Sequence, residues 1–177
     1  NRPTLTGNVV CPNSGTNWFH PSFDPAAGLF YVNAREGCRM ATNSEAPRPE
    51  TYEVGERPVS RGKPVPLPKE FATNTGLVLA IDPITGARKW ESRYGAAGSW
   101  AGVLTTASGV LFTGDNDGHV LALDSRTGKE LWRQQLGGSI YAAPTTYMLD
   151  GRQYVSISAG TTFTTFALPV ARQQDSR

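Results

Sequence analysis

Apolar positions come in short bursts along this chain, and turn-forming residues separate them. The clearest bursts are "LVLAID" (77–82) and "HVLALD" (119–124), alternating or continuous apolar runs that end on an aspartate. Each leads into a turn, "DPITG" or "DSRTG", and then into a second run ending on tryptophan, "ARKWES" or "KELWRQ". Such a run–turn–run reads as a β-hairpin. Asp and Thr side chains bond turn amides, and Gly takes the positive φ of the turn. Ala80, Asp82, Thr85, Gly86 and Trp90 recur as Ala122, Asp124, Thr127, Gly128 and Trp132, always 42 residues later. A fixed period of this size marks a repeat architecture.

Two more strands fill the period. "AGVLTTA" (101–107) and "GVLFTGD" (109–115) meet at Ser108-Gly109, and "DNDG" (115–118) turns into "HVLALD". One unit is therefore four antiparallel strands, the size and rhythm of a β-propeller blade. The first blade takes its inner strands from 16–34 and its outer hairpin from 75–95. Between them, 43–70 holds six of the 13 prolines and reads as an irregular surface excursion. The second blade covers 100–136. The third covers 139–168 and lacks an outer strand, and 171–177 is a polar tail. The expected fold is all-β, with about three blades of a larger ring. Upstream blades or a second chain would close it, because an open set of blades leaves unpaired edges.

Composition narrows the partners. The formal charge is +2, which argues against nucleic acid and anionic membrane. No apolar run approaches the ~20 residues of a membrane span. The two cysteines, Cys11 and Cys38, and the two histidines, His20 and His119, lack zinc-site spacing. The cysteines read either as a disulfide or as two buried free thiols. Asp115, Asp117 and His119 fit turn chemistry better than a calcium loop or a catalytic site, and His20, two residues past Trp18, is not assigned a functional role.

The A-x-D-x-x-T-G-x-x-x-W repeat resembles the tryptophan-docking motif of quinoprotein dehydrogenases. "CPNSGTNWFHPSFDPAAGLFYV" (11–32), "SWAGVLTTASGVLFTGDNDGHVLALDSRTGKELW" (99–132) and "GRQYVSISAG" (151–160) are similar to the C-terminal third of the methanol/ethanol-type alcohol dehydrogenases of that family. The resemblance implies an eight-bladed propeller carrying pyrroloquinoline quinone (PQQ) on its axis. It implies a Cys11–Cys38 disulfide, and hence a periplasmic, oxidising compartment. It makes Asn17 a donor to the quinone carbonyls and places Trp100 in the chamber beside the cofactor. It brings the backbone at Gly160 and Thr161 toward the quinone carboxylates, although "AGTTF" departs from the family's usual Gly-Trp there. Trp18, next to Asn17 in an extended segment, is expected on the opposite side, packing between blades.

The function so implied is oxidation of a small primary alcohol to an aldehyde, with PQQ as hydride acceptor. The catalytic base and the ligands for calcium or a lanthanide are expected outside this chain, so no catalytic or metal-binding residue is assigned within it. No C-x-x-C-H haem site occurs, so a separate cytochrome-type acceptor is expected. The competing readings are a non-catalytic propeller scaffold that binds proteins and a PQQ-dependent sugar or aldose dehydrogenase.

Overall fold

The computed structural model describes residues 3–12, 15–43, 51, 65–71, 74–94 and 99–168. Apart from residues 43, 51 and 65–70, the predicted excursion at 43–70 lies outside them, as does the tail at 171–177. The first blade is an antiparallel sheet in the order β2 (Ser22–Asp24), β3 (Leu29–Gly37), β5 (Asn74–Ile81), β6 (Arg88–Tyr94). The second is β7 (Leu104–Thr105), β8 (Val110–Gly114), β9 (His119–Asp124), β10 (Glu130–Gln135). The third has three strands, β11 (Thr145–Leu149), β12 (Arg152–Ala159) and β13 (Thr162–Ala167). Among the described residues the three blades form an open arc of a β-propeller, and β13 pairs only with β12.

The blades stack face to face, which is why "HVLALD" reads as a continuous apolar run. Val120, Leu121, Ala122 and Leu123 are all buried, because a central strand covered on both faces has no polar side. Tyr31, Val78 and Ala80 of the first blade pack with Leu111, Leu121 and Leu123 of the second. Val120 packs with Ile140, Ile157 and Ala159 across the second junction. The outermost strand β10 is exposed along its whole length.

The repeated motif joins one blade to the next. Asp82 Oδ1 accepts from the amides of Ile84 and Thr85, and Asp124 Oδ1 does the same for Arg126 and Thr127. Gly86 and Gly128 both close their turns at φ 72°. Trp90 then reaches forward: its indole N–H donates to Ser125 O at 3.0 Å, and its ring lies against Gly128. Any β-carbon at residue 128 would stand 2.5 Å from that ring. Tyr31 O–H donates to the same Ser125 carbonyl at 2.8 Å. Trp132, the second copy, meets Phe166 edge-on at 5.2 Å and stays 39% exposed. It borders a groove of about 830 Å³ between the second and third blades.

Two features differ from the sequence expectation. The predicted strand at 101–107 pairs only over Leu104–Thr105. Its first residues are held instead by side chains, as described below. A separate two-stranded ribbon, β1 (Asn8–Val10) with β4 (Arg39–Ala41), stands outside the blades. The Cys11–Cys38 disulfide lies at its end, with the Cα atoms 4.5 Å apart.

Candidate functional site

The site begins with a buried asparagine. Asn33, in the middle of β3, is fully buried in the otherwise apolar stretch around it. An amide there must be fully bonded, because an unpaired buried polar group costs roughly 1–3 kcal/mol. Asn33 Nδ2 donates to Ala101 O at 2.6 Å and to Thr113 Oγ1 at 2.8 Å. Its Oδ1 accepts from Tyr94 O–H. Thr113 Oγ1 donates to Gly102 O at 3.0 Å, and Ser99 Oγ donates to Gly114 O at 2.6 Å. Burial pushes the Tyr94 phenol well above its ordinary value, so it remains a donor throughout the working pH range. This network fixes residues 99–102 without a β ladder and so aims Trp100.

Trp100 points into an aromatic cluster at the inner end of the blades. Trp18 lies 5.2 Å from it, centroid to centroid, at 31°. Phe19 meets it edge-on at 5.6 Å, and Arg35 places its guanidinium carbon 4.7 Å from the ring centre. Trp18, Trp100 and Tyr141 line an open concavity of about 380 Å³. The expectation for Trp18 is thereby corrected. Residues 16–21 are not an extended strand, since β2 begins only at Ser22, after Pro21. Strict alternation therefore fails: Phe19 takes the buried position at 3% exposure, and Trp18 stands 64% exposed in the cup.

Asn17 is exposed and immediately precedes Trp18 in the chain. Gly160 and Thr161 are the exposed two-residue turn between β12 and β13. The Gly160 amide donates to Ser139 O at 2.9 Å, so that donor is already used within the fold. The turn is thus tied to the loop at 136–144 that carries Tyr141. His20 is exposed, and its carbonyl accepts from Val103 N at 2.8 Å. Asp115 is buried; its Oδ1 accepts from His119 N at 2.8 Å, and His119 Nδ1 lies 3.0 Å from Oδ2, which closes the "DNDGH" turn. Among the described residues no three His, Cys, Asp or Glu side chains gather into a metal-binding group. No helix among them is long and apolar enough to cross a membrane.

Sequence reasoning missed Asn33, Arg35 and Tyr141. Asn33 had a visible signal, an amide inside an apolar strand. Tyr141 had a positional one. Trp18, Trp100 and Tyr141 each stand four residues before the innermost strand of their own blade, β2, β7 and β11.

Comparison with known proteins matches the sequence and the fold to a family. The family profile for the β-propeller domain of PQQ-dependent glucose/ethanol/alcohol dehydrogenases matches residues 92–155. A 1-butanol dehydrogenase (quinone) of Thauera butanivorans is 37% identical over 146 residues, covering 82% of this chain and 22% of the relative. The chain belongs to the quinoprotein alcohol dehydrogenase family. A quinoprotein ethanol dehydrogenase of Pseudomonas aeruginosa is 34% identical over 82% of the chain and 22% of its own length. Among solved structures, a quinohemoprotein alcohol dehydrogenase of Pseudomonas putida superposes with a TM-score of 0.72 at 29% identity, covering 89% of this chain and 24% of that one. A europium-containing methanol dehydrogenase gives 0.71 at 32% identity, covering 87% of this chain and 27% of that one. The chain thus spans about a quarter of the length of the relatives it matches.

The donor set of the cup suits the family's quinone. PQQ is planar, carries carbonyl acceptors and is anionic. The cup offers flat aromatic faces, with the Arg35 guanidinium against the Trp100 ring. Among the described residues Arg35 Nε is buried and bonded to no acceptor, an unspent donor on the side chain that packs on Trp100.

Proposed function

We propose that this chain forms one wall of the quinone and alcohol site of a PQQ-dependent dehydrogenase that oxidises a primary alcohol to the aldehyde. The observation that carries the reading is the Trp18–Trp100–Tyr141 cup, built from the segments that lead into three successive blades, with Asn17 next to Trp18 in the chain. Bound PQQ supplies the two-electron acceptor. The chain's own residues bind and orient. Asn17 offers an N–H to a ring carbonyl without adding charge. Trp100, braced by the Asn33 network, presents a rigid apolar face that excludes water from the chamber. The backbone at Gly160 and Thr161 lines the same end through the 136–144 loop. The base that takes the alcohol proton and the ligands for calcium or a lanthanide come from outside this chain, and further blades close an eight-bladed ring against β13. The disulfide supports export to the periplasm, and a separate cytochrome-type protein takes the electrons.

The test is dye-linked oxidation of ethanol by the protein that carries this chain, reconstituted with PQQ and calcium. Asn17→Ala is expected to lower kcat/KM by about tenfold or more, since a lost hydrogen bond to a reacting quinone is worth roughly 1.5–3 kcal/mol. Unchanged kcat/KM in Asn17→Ala, or no PQQ-dependent oxidation by the unmodified protein, contradicts the assignment.

A further inference from the structure

The two blade junctions are closed differently. At the first, the turn after β9 fills the space beside Trp90. Ser125 O accepts from the Trp90 indole and the Tyr31 phenol, and Gly128 lies under the ring. At the second, Phe112 pairs with Ala122 as Tyr31 pairs with Ala80, so the phenol is missing. Trp132 meets Phe166 edge-on, and the space beside it is the groove of about 830 Å³. Val110, Phe112, Ala122, Trp132, Val155 and Phe166 give that groove an apolar lining. An apolar cleft beside a partly exposed tryptophan marks a contact surface.

The chain itself supplies an occupant. At the first junction the seat runs from Ser125, one residue past β9, to Gly128, four past it. The same count from the end of β13 gives "LPVA", residues 168–171. Leu168 already lines the groove, and Arg152 Nη2 donates to its carbonyl, so the chain leaves β13 at the groove's edge. Pro169, Val170 and Ala171 are apolar, like the lining, and the sequence turns polar at Arg172. Asp150, at the groove, is opposite in charge to Arg172. A segment tethered there is present at an effective concentration on the order of millimolar, which a free partner rarely matches.

The same stretch departs from the motif, and the departure fits a groove rather than a tight seat. Ala167 stands where Asp124 closes its turn, Val170 where Thr127 bonds that aspartate, and Ala171 where Gly128 takes a φ of 72°. An aspartate-closed turn is therefore unavailable. A β-carbon at the Gly128 seat would stand 2.5 Å from the docked ring, so a segment with alanine there needs a wider space. We propose that the groove is the docking site of residues 169–171, which pack as an apolar plug against Trp132 and Phe166 and close the junction that the motif leaves open.

The experiment uses the protein that carries this chain. With the photo-crosslinker p-benzoylphenylalanine in place of Val170, irradiation is expected to join residue 170 to Trp132, Phe166 or Phe112, identified by mass spectrometry of the digested protein. Hydroxyl-radical footprinting then reads the tryptophans one by one. Val170→Asp is expected to raise oxidation of Trp132 about threefold and to leave Trp90 unchanged, because an unpaired carboxylate is expelled from an apolar groove. Gln174→Asp, beyond the plug, is expected to move neither. Crosslinks only to residues outside the groove overturn the proposal, whether they fall on other blades or on a second copy. So does equal oxidation of Trp132 in the unmodified protein and Val170→Asp, which gives the groove to another occupant. A rise at Trp90 as large as that at Trp132 means that Val170→Asp has lost its fold, and the crosslink then decides alone.

Discussion

Trp90 and Gly128 meet across a blade junction, and that contact explains why the motif repeats. The tryptophan of one copy needs the bare Gly of the next copy as its seat. Gly86 has the same φ of 72° but nothing within 4 Å of an added β-carbon, whereas at Gly128 the Trp90 ring is 2.5 Å away. The two positions therefore separate strain from collision. Gly86→Ala should cost about 1 kcal/mol, the price of a left-handed alanine, and Gly128→Ala about 3 kcal/mol once the displaced ring is added. Urea unfolding of both variants checks this, and equal losses would mean that Trp90 does not dock on residue 128. Asn33 and Tyr141 show what stayed hidden at this scale. The sequence showed an amide in an apolar strand but not the bonds to Ala101 and Thr113. It showed a tyrosine after an isoleucine but not the concavity it faces. Those contacts join residues 66 or more positions apart, or loops whose path is set by packing rather than by local propensity.

At the scale of elements, the outer hairpins were the most legible part of the chain. Their strands alternate or run apolar, their turns carry Asp, Thr and Gly at the required offsets, and the 42-residue period confirmed each copy with the other. The inner strands were less legible, because β7 is only Leu104–Thr105 and its neighbours are positioned by side-chain hydrogen bonds. The β1–β4 ribbon was not foreseen, since three-residue strands carry no readable period. The hairpin turns also predict a pH response. The Thr85 amide, first among several donors, holds the Asp82 carboxyl below its ordinary value, and the Thr127 hydroxyl does the same for Asp124. Because both folded-state values lie below the unfolded value of 3.8, the stabilisation is complete above that pH. It is lost as pH falls through the lowered values. Asp82→Asn with Asp124→Asn should therefore flatten the acid limb of stability as pH falls below 3.8, while an unchanged limb would assign that limb to other carboxylates.

For the whole molecule, the arc of three blades is open. Among the described residues the outer edge of β13 has no strand beside it, and Trp132 remains partly exposed at the second junction. Unpaired strand edges invite pairing, so the account places another strand there when the ring is complete. Hydrogen exchange should show the β13 amides protected in the protein with all its blades and fast in the isolated 177-residue chain. Equal exchange in both would mean that β13 is a true edge. Ring closure also bears on the site, because the cup presents walls from three blades and leaves the rest of its circumference to others.

The central claim is that the aromatic end of this arc faces PQQ. The most direct measurement is a PQQ titration of the protein that carries this chain, with calcium present, followed by tryptophan emission and repeated with Trp100→Phe. The account predicts saturable quenching that weakens in the variant. Saturable quenching of equal depth and affinity in both proteins would place the cofactor away from Trp100 and contradict it.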